Sequence, residues 1–214
     1  MRLPSKIPVF ALPNVVLFPG VPLPLHIFEP RYRDMVADAL AGDNVVGMTL
    51  LRGNWQSDYE GRPSIFEIGC AGKIVSADKL PDGRFNILLQ GICEFAVTRH
   101  VFEHSYREAL VEWRTLPTNK LTAALRPALV QSLSEFLDTV PESPAHRLLR
   151  DPSLSDESLV NLFSYALDIT PLEKQGLLEA ASLDGRAARL IESLEFRLEE
   201  SRLTVGGSGG EKYH

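Results

Sequence analysis

The spacing of hydrophobic and polar positions changes near residue 117, from strand-like before it to helical after it. Val45–Leu51 is a continuous apolar run, and Phe66–Ala77 is a longer one interrupted by Gly69 and Gly72. Phe85, Ile87 and Leu89 alternate with Asn86, Leu88 and Gln90. Each pattern predicts a strand. Pro81-Asp82-Gly83 predicts a hairpin turn between the last two, because proline fixes φ and glycine accepts a positive one. Tyr106–Trp113 predicts a further strand, with Ala109, Val111 and Trp113 on one face, Glu108 and Glu112 on the other, and Leu110 breaking the pattern. One helix is expected among these strands. Pro30 suits a first helical position, Tyr32, Met35, Val36, Ala39 and Leu40 follow helical spacing, and Gly42 can end it.

Residues 7–28 hold no Asp, Glu, Lys or Arg but five prolines: Pro8, Pro13, Pro19, Pro22 and Pro24. A run of that length invites a signal-peptide or membrane-helix reading. Each interior proline would cost such a helix about 3 kcal/mol, so the segment is expected instead as edge strands and turns laid against a core.

Beyond Pro117 the stripe Leu121, Leu125, Leu129, Leu133, Phe136, Leu137 and Val140 predicts a helix kinked by Pro127. A second stripe, Leu159, Leu162, Phe163, Ala166 and Leu167, begins near Ser155. Thr170-Pro171-Leu172-Glu173 is a capping box opening a short helix, and a last helix from about Asp184 turns Ala187, Leu190, Ile191, Leu194 and Leu198 inward. Such stripes could line a cofactor, but buried bundle faces look the same, and they are read as core. The expected organisation is α+β: a β-rich part at 1–117, a helical bundle at 118–203 and a flexible tail at 204–214.

Composition narrows the function classes. Residues 1–117 carry 12 basic and 13 acidic side chains and 118–214 carry 10 and 15, for a net charge of −6. Neither part offers the clustered positive field of a nucleic-acid binder, so no nucleic-acid partner is expected. Cys70 and Cys93 each sit in an apolar run, as reduced buried thiols in a cytoplasmic protein do; a redox pair is the alternative. No membrane association is expected, and the oligomeric state stays open.

Several ordered blocks resemble the N-terminal, substrate-binding domain of Lon proteases: Ile7-Pro8-Val9-Phe10, Leu17-Phe18-Pro19-Gly20, Leu23–Tyr32, Val46-Gly47-Met48, Gly69–Ile74, Asp82–Gly91, Tyr106–Ala109 and Thr170–Glu179. The likeness covers about residues 5–203. It implies a PUA-like, partly open β-barrel with one embedded helix, followed by a helical bundle, used to capture unfolded or tagged polypeptides. It also implies a stand-alone member without the ATPase and peptidase domains of a Lon protease, and so no enzyme and no cofactor. Gly72-Lys73 lacks the glycine five residues earlier and is followed by Ile74, so it is not a P-loop. One departure concerns the position before the aromatic residue Phe95, where the family usually has arginine. Here it is Glu94, a charge reversal that bears on any ion pair or partner contact made there.

Candidate chemistry is sparse. His100-Val101-Phe102-Glu103-His104 fits the H-x-x-E-H pattern of zinc peptidases, the basis of an alternative reading as a zinc-dependent hydrolase. Its flanks favour a strand, where residues four apart lie roughly 13 Å from each other and cannot share a metal. RNA binding is a further alternative, by analogy with PUA-like folds. His26 has no accompanying nucleophile motif and reads as a packed, hydrogen-bonded histidine. Glu29, Arg31 and Arg33 form a charge cluster at the turn into the first helix. Trp55 and Tyr59 lie in the glycine-flanked loop Gly53–Gly61, where exposed aromatics can anchor a peptide or simply pack the loop. The candidate contacts for a peptide or partner are therefore His26, Phe28, Arg31, Tyr32, Trp55 and Tyr59. The expected partners are unfolded or tagged polypeptides and a protease that the module would serve as adaptor, or for which it would act as a holdase.

Overall fold

Six strands, β1 Lys6–Leu12, β2 Pro22–Ile27, β3 Val45–Leu50, β4 Ile68–Lys79, β5 Phe85–Val101 and β6 Arg107–Arg114, form one sheet in the order β2-β5-β4-β3-β1-β6. The computed structural model describes residues 3–59, 61–142 and 144–206. β5 also pairs with β6, so β1, β3, β4, β5 and β6 close a hydrogen-bonded circuit, and β2 adds to the first half of β5 outside it. Register shifts at Ala71/Gly72, Ile74/Ser76 and Val97/Arg99 let the long strands bend around this circuit. The architecture is α+β.

The proline-rich segment departs from expectation in one respect. β1 is not an edge: it runs parallel to β3 and antiparallel to β6. Its pairing is staggered, with β6 along Lys6–Val9 and β3 along Val9–Leu12. Pro8 thus precedes the stretch paired with β3 and withholds no donor from a second neighbour. β2 is an edge, as expected, with β5 its single partner.

Ile7, Val9 and Ala11 of β1 join Val45, Leu51, Ile65, Ala71, Phe95, Ala109 and Val111 in one buried cluster. Gly47 and Gly69 make room for the Phe95 ring: a Cβ at Gly47 would come within 2.8 Å of it, and one at Gly69 within 2.7 Å. Next to Phe95, Glu94 is buried and its carboxylate lies 3.5 Å from Arg114. The charge reversed against the family pattern has an ion-pair partner on the neighbouring strand.

Helix α1, Pro30–Ala41, begins with its proline at the start and ends at Gly42, burying Tyr32, Met35, Val36 and Ala39. Leu40, at the edge of the stripe, is exposed. The β4–β5 hairpin turns at Gly83 with φ 84°. Glu108, placed by alternation on the outer face of β6, is buried and pairs with Lys6 at 3.0 Å. Both cysteines are free thiols, Cys70 buried and Cys93 half-buried.

The remaining helices are α2 Leu125–Leu137, α3 Pro144–Leu149, α4 Asp156–Ala166, α5 Pro171–Leu178 and α6 Leu183–Gly206. The chain divides into two units: residues up to Thr115 with Thr170–Glu179, and Leu116–Ile169 with the segment from Ala180. α5 therefore groups with the sheet. Its capping box, Thr170 with Glu173, is formed, and the buried Gln175 donates to the Ile68 carbonyl at the start of β4 at 2.9 Å.

In the helical unit α6 packs against α2 and α4, burying Leu129, Leu133, Leu137, Leu159, Phe163, Ala187, Leu190 and Leu194. Pro127 does not kink α2. The helix starts two residues before it, so the proline occupies the first turn, where no intrahelical N–H partner is lost. Leu121 and Val140 fall outside the helix. α6 runs through residue 206, the first three residues of the expected tail; the rest of that segment lies outside the described residues.

Candidate functional site

Three segments of the sheet unit converge on a two-lobed cleft: the start of α1, the loop after β3 with its 3-10 turn Trp55–Asp58, and the turn from β5 to β6. The first lobe, about 230 Å³, is lined by Arg31, Tyr32, Tyr59, Arg62, Phe102, Tyr106 and Arg107, together with Val9, Ala11 and Leu51 of the core cluster. The second, about 550 Å³, adds Arg52, Trp55, Asp58, Glu67 and His100. Arg62, Pro63, Phe102 and Arg107 belong to both.

Around the helix start every polar contact is internal. Glu29 precedes Pro30, and its carboxylate does not cap the helix. It accepts instead from Arg31 Nε at 3.0 Å and from the Tyr59 hydroxyl at 2.9 Å. Arg31 also donates to the Tyr59 carbonyl at 3.0 Å, and its guanidinium lies 4.7 Å from the Tyr32 ring centre and 5.0 Å from that of Tyr59. Burial would lower the Arg31 pKa, but the Tyr32 oxygen and Glu29 together hold it above its ordinary value. Burial pushes the Tyr32 phenol up to about 12, and burial plus donation to Glu29 raises Tyr59. Both hydroxyls stay protonated near neutral pH. Trp55 meets Tyr59 edge-on at 5.7 Å, which ties the loop to the helix start.

Across the cleft the guanidiniums are less engaged. Arg62 lies 3.9 Å from the centre of the Phe102 ring and Arg107 5.7 Å from it. Arg107 donates to the Pro63 carbonyl at 2.6 Å and approaches His100 Nδ1 at 3.4 Å. Glu67 stands 3.5 Å from His100 Nε2, which suits the tautomer with its proton on Nε2 and Nδ1 accepting. Burial lowers the Arg107 pKa, yet a guanidinium so placed keeps its charge. Among the described residues no carboxylate stands within ion-pair distance of Arg52, Arg62 or Arg107.

Of the six residues expected at a contact site, Arg31, Tyr32, Trp55 and Tyr59 meet at this cleft. His26 and Phe28 do not line it. His26 bonds Asn86 at 2.7 Å and Arg84 at 3.2 Å, against the β4–β5 hairpin, and Phe28 is 61% exposed beside it. The zinc pattern is dispersed. His100 lies near the end of β5 and faces Glu67, while Glu103 approaches Lys6 and His104 approaches Glu108 in the following turn. Among the described residues no group of three His, Cys, Asp or Glu side chains is arranged to hold a metal ion. Arg62, Phe102 and Arg107 were not singled out for binding by sequence reasoning. Arg62 adjoins the aromatic loop, and Arg107 falls inside a family-like block, but nothing local announces that they converge.

The family model of the ATP-dependent protease La (LON) substrate-binding domain matches residues 6–195, and the chain belongs to that family. It is 27% identical over 200 residues to the Lon protease of Flavobacterium johnsoniae, covering 91% of this chain and 24% of that protein. With Lon protease 2 of Myxococcus xanthus the identity is 28% over 206 residues, covering 94% and 25%. The chain thus spans about a quarter of the length of these curated relatives. Its fold is similar to a Lon N-terminal domain protein from Xanthomonas campestris, with TM-score 0.66, 22% identity, 88% of this chain and 98% of that one covered. The N-terminal domain of Mycobacterium avium complex Lon protease gives TM-score 0.66 at 16% identity, over 89% and 98%. The matched family is the substrate-binding part of these proteases. No helix among the described residues is long and apolar enough to cross a membrane.

Proposed function

We propose that this protein is a non-enzymatic recognition module of PUA-like barrel type that holds unfolded or tagged polypeptides for a protease. The observation that carries the reading is the cleft itself: Tyr32, Tyr59, Phe102 and Tyr106, interleaved with guanidiniums, line it on a fold whose family is defined by substrate binding. Aromatic and arginine side chains supply most binding energy at polypeptide interfaces. The link to proteolysis rests on the relatives, which are Lon proteases.

Main-chain pairing offers a second contact, and the edges at β2 and at the end of β4 differ. On β2, Pro22 and Pro24 have no N–H to offer an incoming strand. On β4, pairing with β3 ends at Lys73, so the stretch to Lys79 has β5 as its single neighbour, and Val75 is 54% exposed. A client strand would add to β4. The test is a peptide array together with a reduced, denatured client protein, read by fluorescence anisotropy at moderate salt. Saturable binding, weakened by Tyr59→Ala and by Val75→Pro, is expected; no binding to either probe would remove the proposal.

A further inference from the structure

We infer that the first lobe of the cleft reads a carboxylate, so that a bound polypeptide is selected for an acidic side chain or a free C-terminus next to an aromatic or large apolar residue. The inference rests on the polypeptide-binding reading above and assigns a ligand chemistry to that site.

Three observations support it. First, guanidiniums of Arg31, Arg62 and Arg107 line the lobe, and among the described residues no carboxylate does. Of the three, Arg31 is occupied by Glu29 and the Tyr59 carbonyl, and Arg107 by the Pro63 carbonyl and His100. Arg62 is exposed; its backbone N–H donates to Asp58 at 3.2 Å, but its guanidinium has the Phe102 ring as its contact and no carboxylate within ion-pair distance among the described residues. Second, Arg62 and Arg107 share one ring; Glu67 and Asp58 of the adjoining lobe act against the repulsion of Arg62 on Arg107, and an incoming anion would add to that relief. Third, the lobe holds about 230 Å³, below the roughly 300–1,000 Å³ of cofactor-sized pockets, which suits a single residue of an extended chain.

The surroundings favour an isolated carboxylate over a polyanion. Asp58 and Glu67 line the adjoining lobe, and the whole chain carries a net charge of −6. A phosphate backbone crossing both lobes would meet those carboxylates, whereas a polypeptide with one acid beside a ring would not.

The experiment uses the full chain and four labelled short peptides of the same apolar-aromatic sequence: terminal Phe-Asp as free acid, Phe-Asp amide, Phe-Asn as free acid and Phe-Asn amide. Anisotropy titrations are expected to rank the doubly neutral amide last by about tenfold, with the intermediate pair telling side chain from α-carboxyl. Arg62→Glu should abolish that preference, so that the four peptides bind the variant with equal affinity, whatever the change in absolute affinity. Arg107→Lys, checked for an unchanged thermal midpoint, should reduce it in part. Equal affinity for all four peptides, or an unaltered preference in Arg62→Glu, would overturn the carboxylate assignment and leave polypeptide binding standing. Displacement of the peptide by inorganic phosphate or a single-stranded oligonucleotide at matched ionic strength would overturn it in favour of a general anion site. Failure of every peptide to bind would sink both readings together.

Discussion

In the helical unit the largest fully buried side chain is a charged one. Arg186 has no exposed surface and donates to Asn161 Oδ1 at 2.6 Å between α6 and α4. In the sheet unit Arg62 sits at the rim of the cleft, exposed and 3.9 Å from the centre of the Phe102 ring. The same side chain does two kinds of work. A guanidinium taken wholly out of water must have its donors satisfied by fixed partners, so it fixes helix register and is costly to remove. One left at a rim on an aromatic face contributes little to folding and keeps donors available for a ligand.

Arg186→Ala tests the first half of that contrast and should have the largest effect. Loss of the buried side chain leaves a cavity and takes a charged donor from Asn161 Oδ1, for an expected cost of about 3–5 kcal/mol in urea-denaturation free energy. The double variant Arg186→Met with Asn161→Leu should recover much of it, because the polar pair is then removed together. If Arg186→Ala is nearly neutral, the helical unit does not depend on its buried charge and the comparison fails.

Thr170→Ala should cost about 1 kcal/mol by removing the hydroxyl that accepts from the Glu173 N–H at 3.2 Å. α5 groups with the sheet, so hydrogen exchange should report the loosening at the start of β4, where Gln175 bonds Ile68. Protection lost on α2 or α6 instead would place α5's contribution in the other unit.

How far these features could be read beforehand follows from their range. The turn at Gly83, the proline-initiated α1 and the Thr170 capping box were legible because each obeys a rule spanning three or four residues. The interior place of β1, the burial of Glu108 and Arg186 and the grouping of α5 were not, since each depends on what a distant segment brings alongside. The cleft was half legible. Arg31 and Tyr32 at the helix start and Trp55 and Tyr59 in the loop were candidates on composition, whereas Phe102 and Arg62 meet across 40 positions of sequence that no spacing rule connects. His26 and Phe28 were candidates too; β2 carries His26 to the hairpin instead, with Phe28 beside it.

A smaller and pH-dependent effect is expected at Asp156. Burial acts to raise its pKa, but the Leu121 N–H and Arg126 outweigh it and hold the folded value below the ordinary carboxylate range. A depressed carboxylate stabilises the fold above its unfolded pKa of about 3.9, and that contribution fades as pH falls through the folded value. Asp156→Asn should therefore be less stable than wild type at pH 7, by about 1 kcal/mol for a pair whose arginine is open to solvent, and the gap should close in acid. A gap independent of pH would mean that the side chain acts through shape and hydrogen bonding, not charge.

Arg62→Gln should have the smallest effect on folding, within about 0.5 kcal/mol, since Arg62 is exposed and its contact is the face of one partly exposed ring. That near-neutrality gives the comparison its force. Arg186 and Arg62 carry the same group, yet the first should change stability without touching peptide affinity and the second the reverse. Measured side by side as denaturation midpoint and peptide dissociation constant, the two variants should fall on perpendicular axes. If Arg62→Gln destabilised the sheet unit as much as Arg186→Ala destabilises the helical one, the rim arginine would be part of the scaffold, and its lack of a carboxylate partner would no longer argue for a ligand.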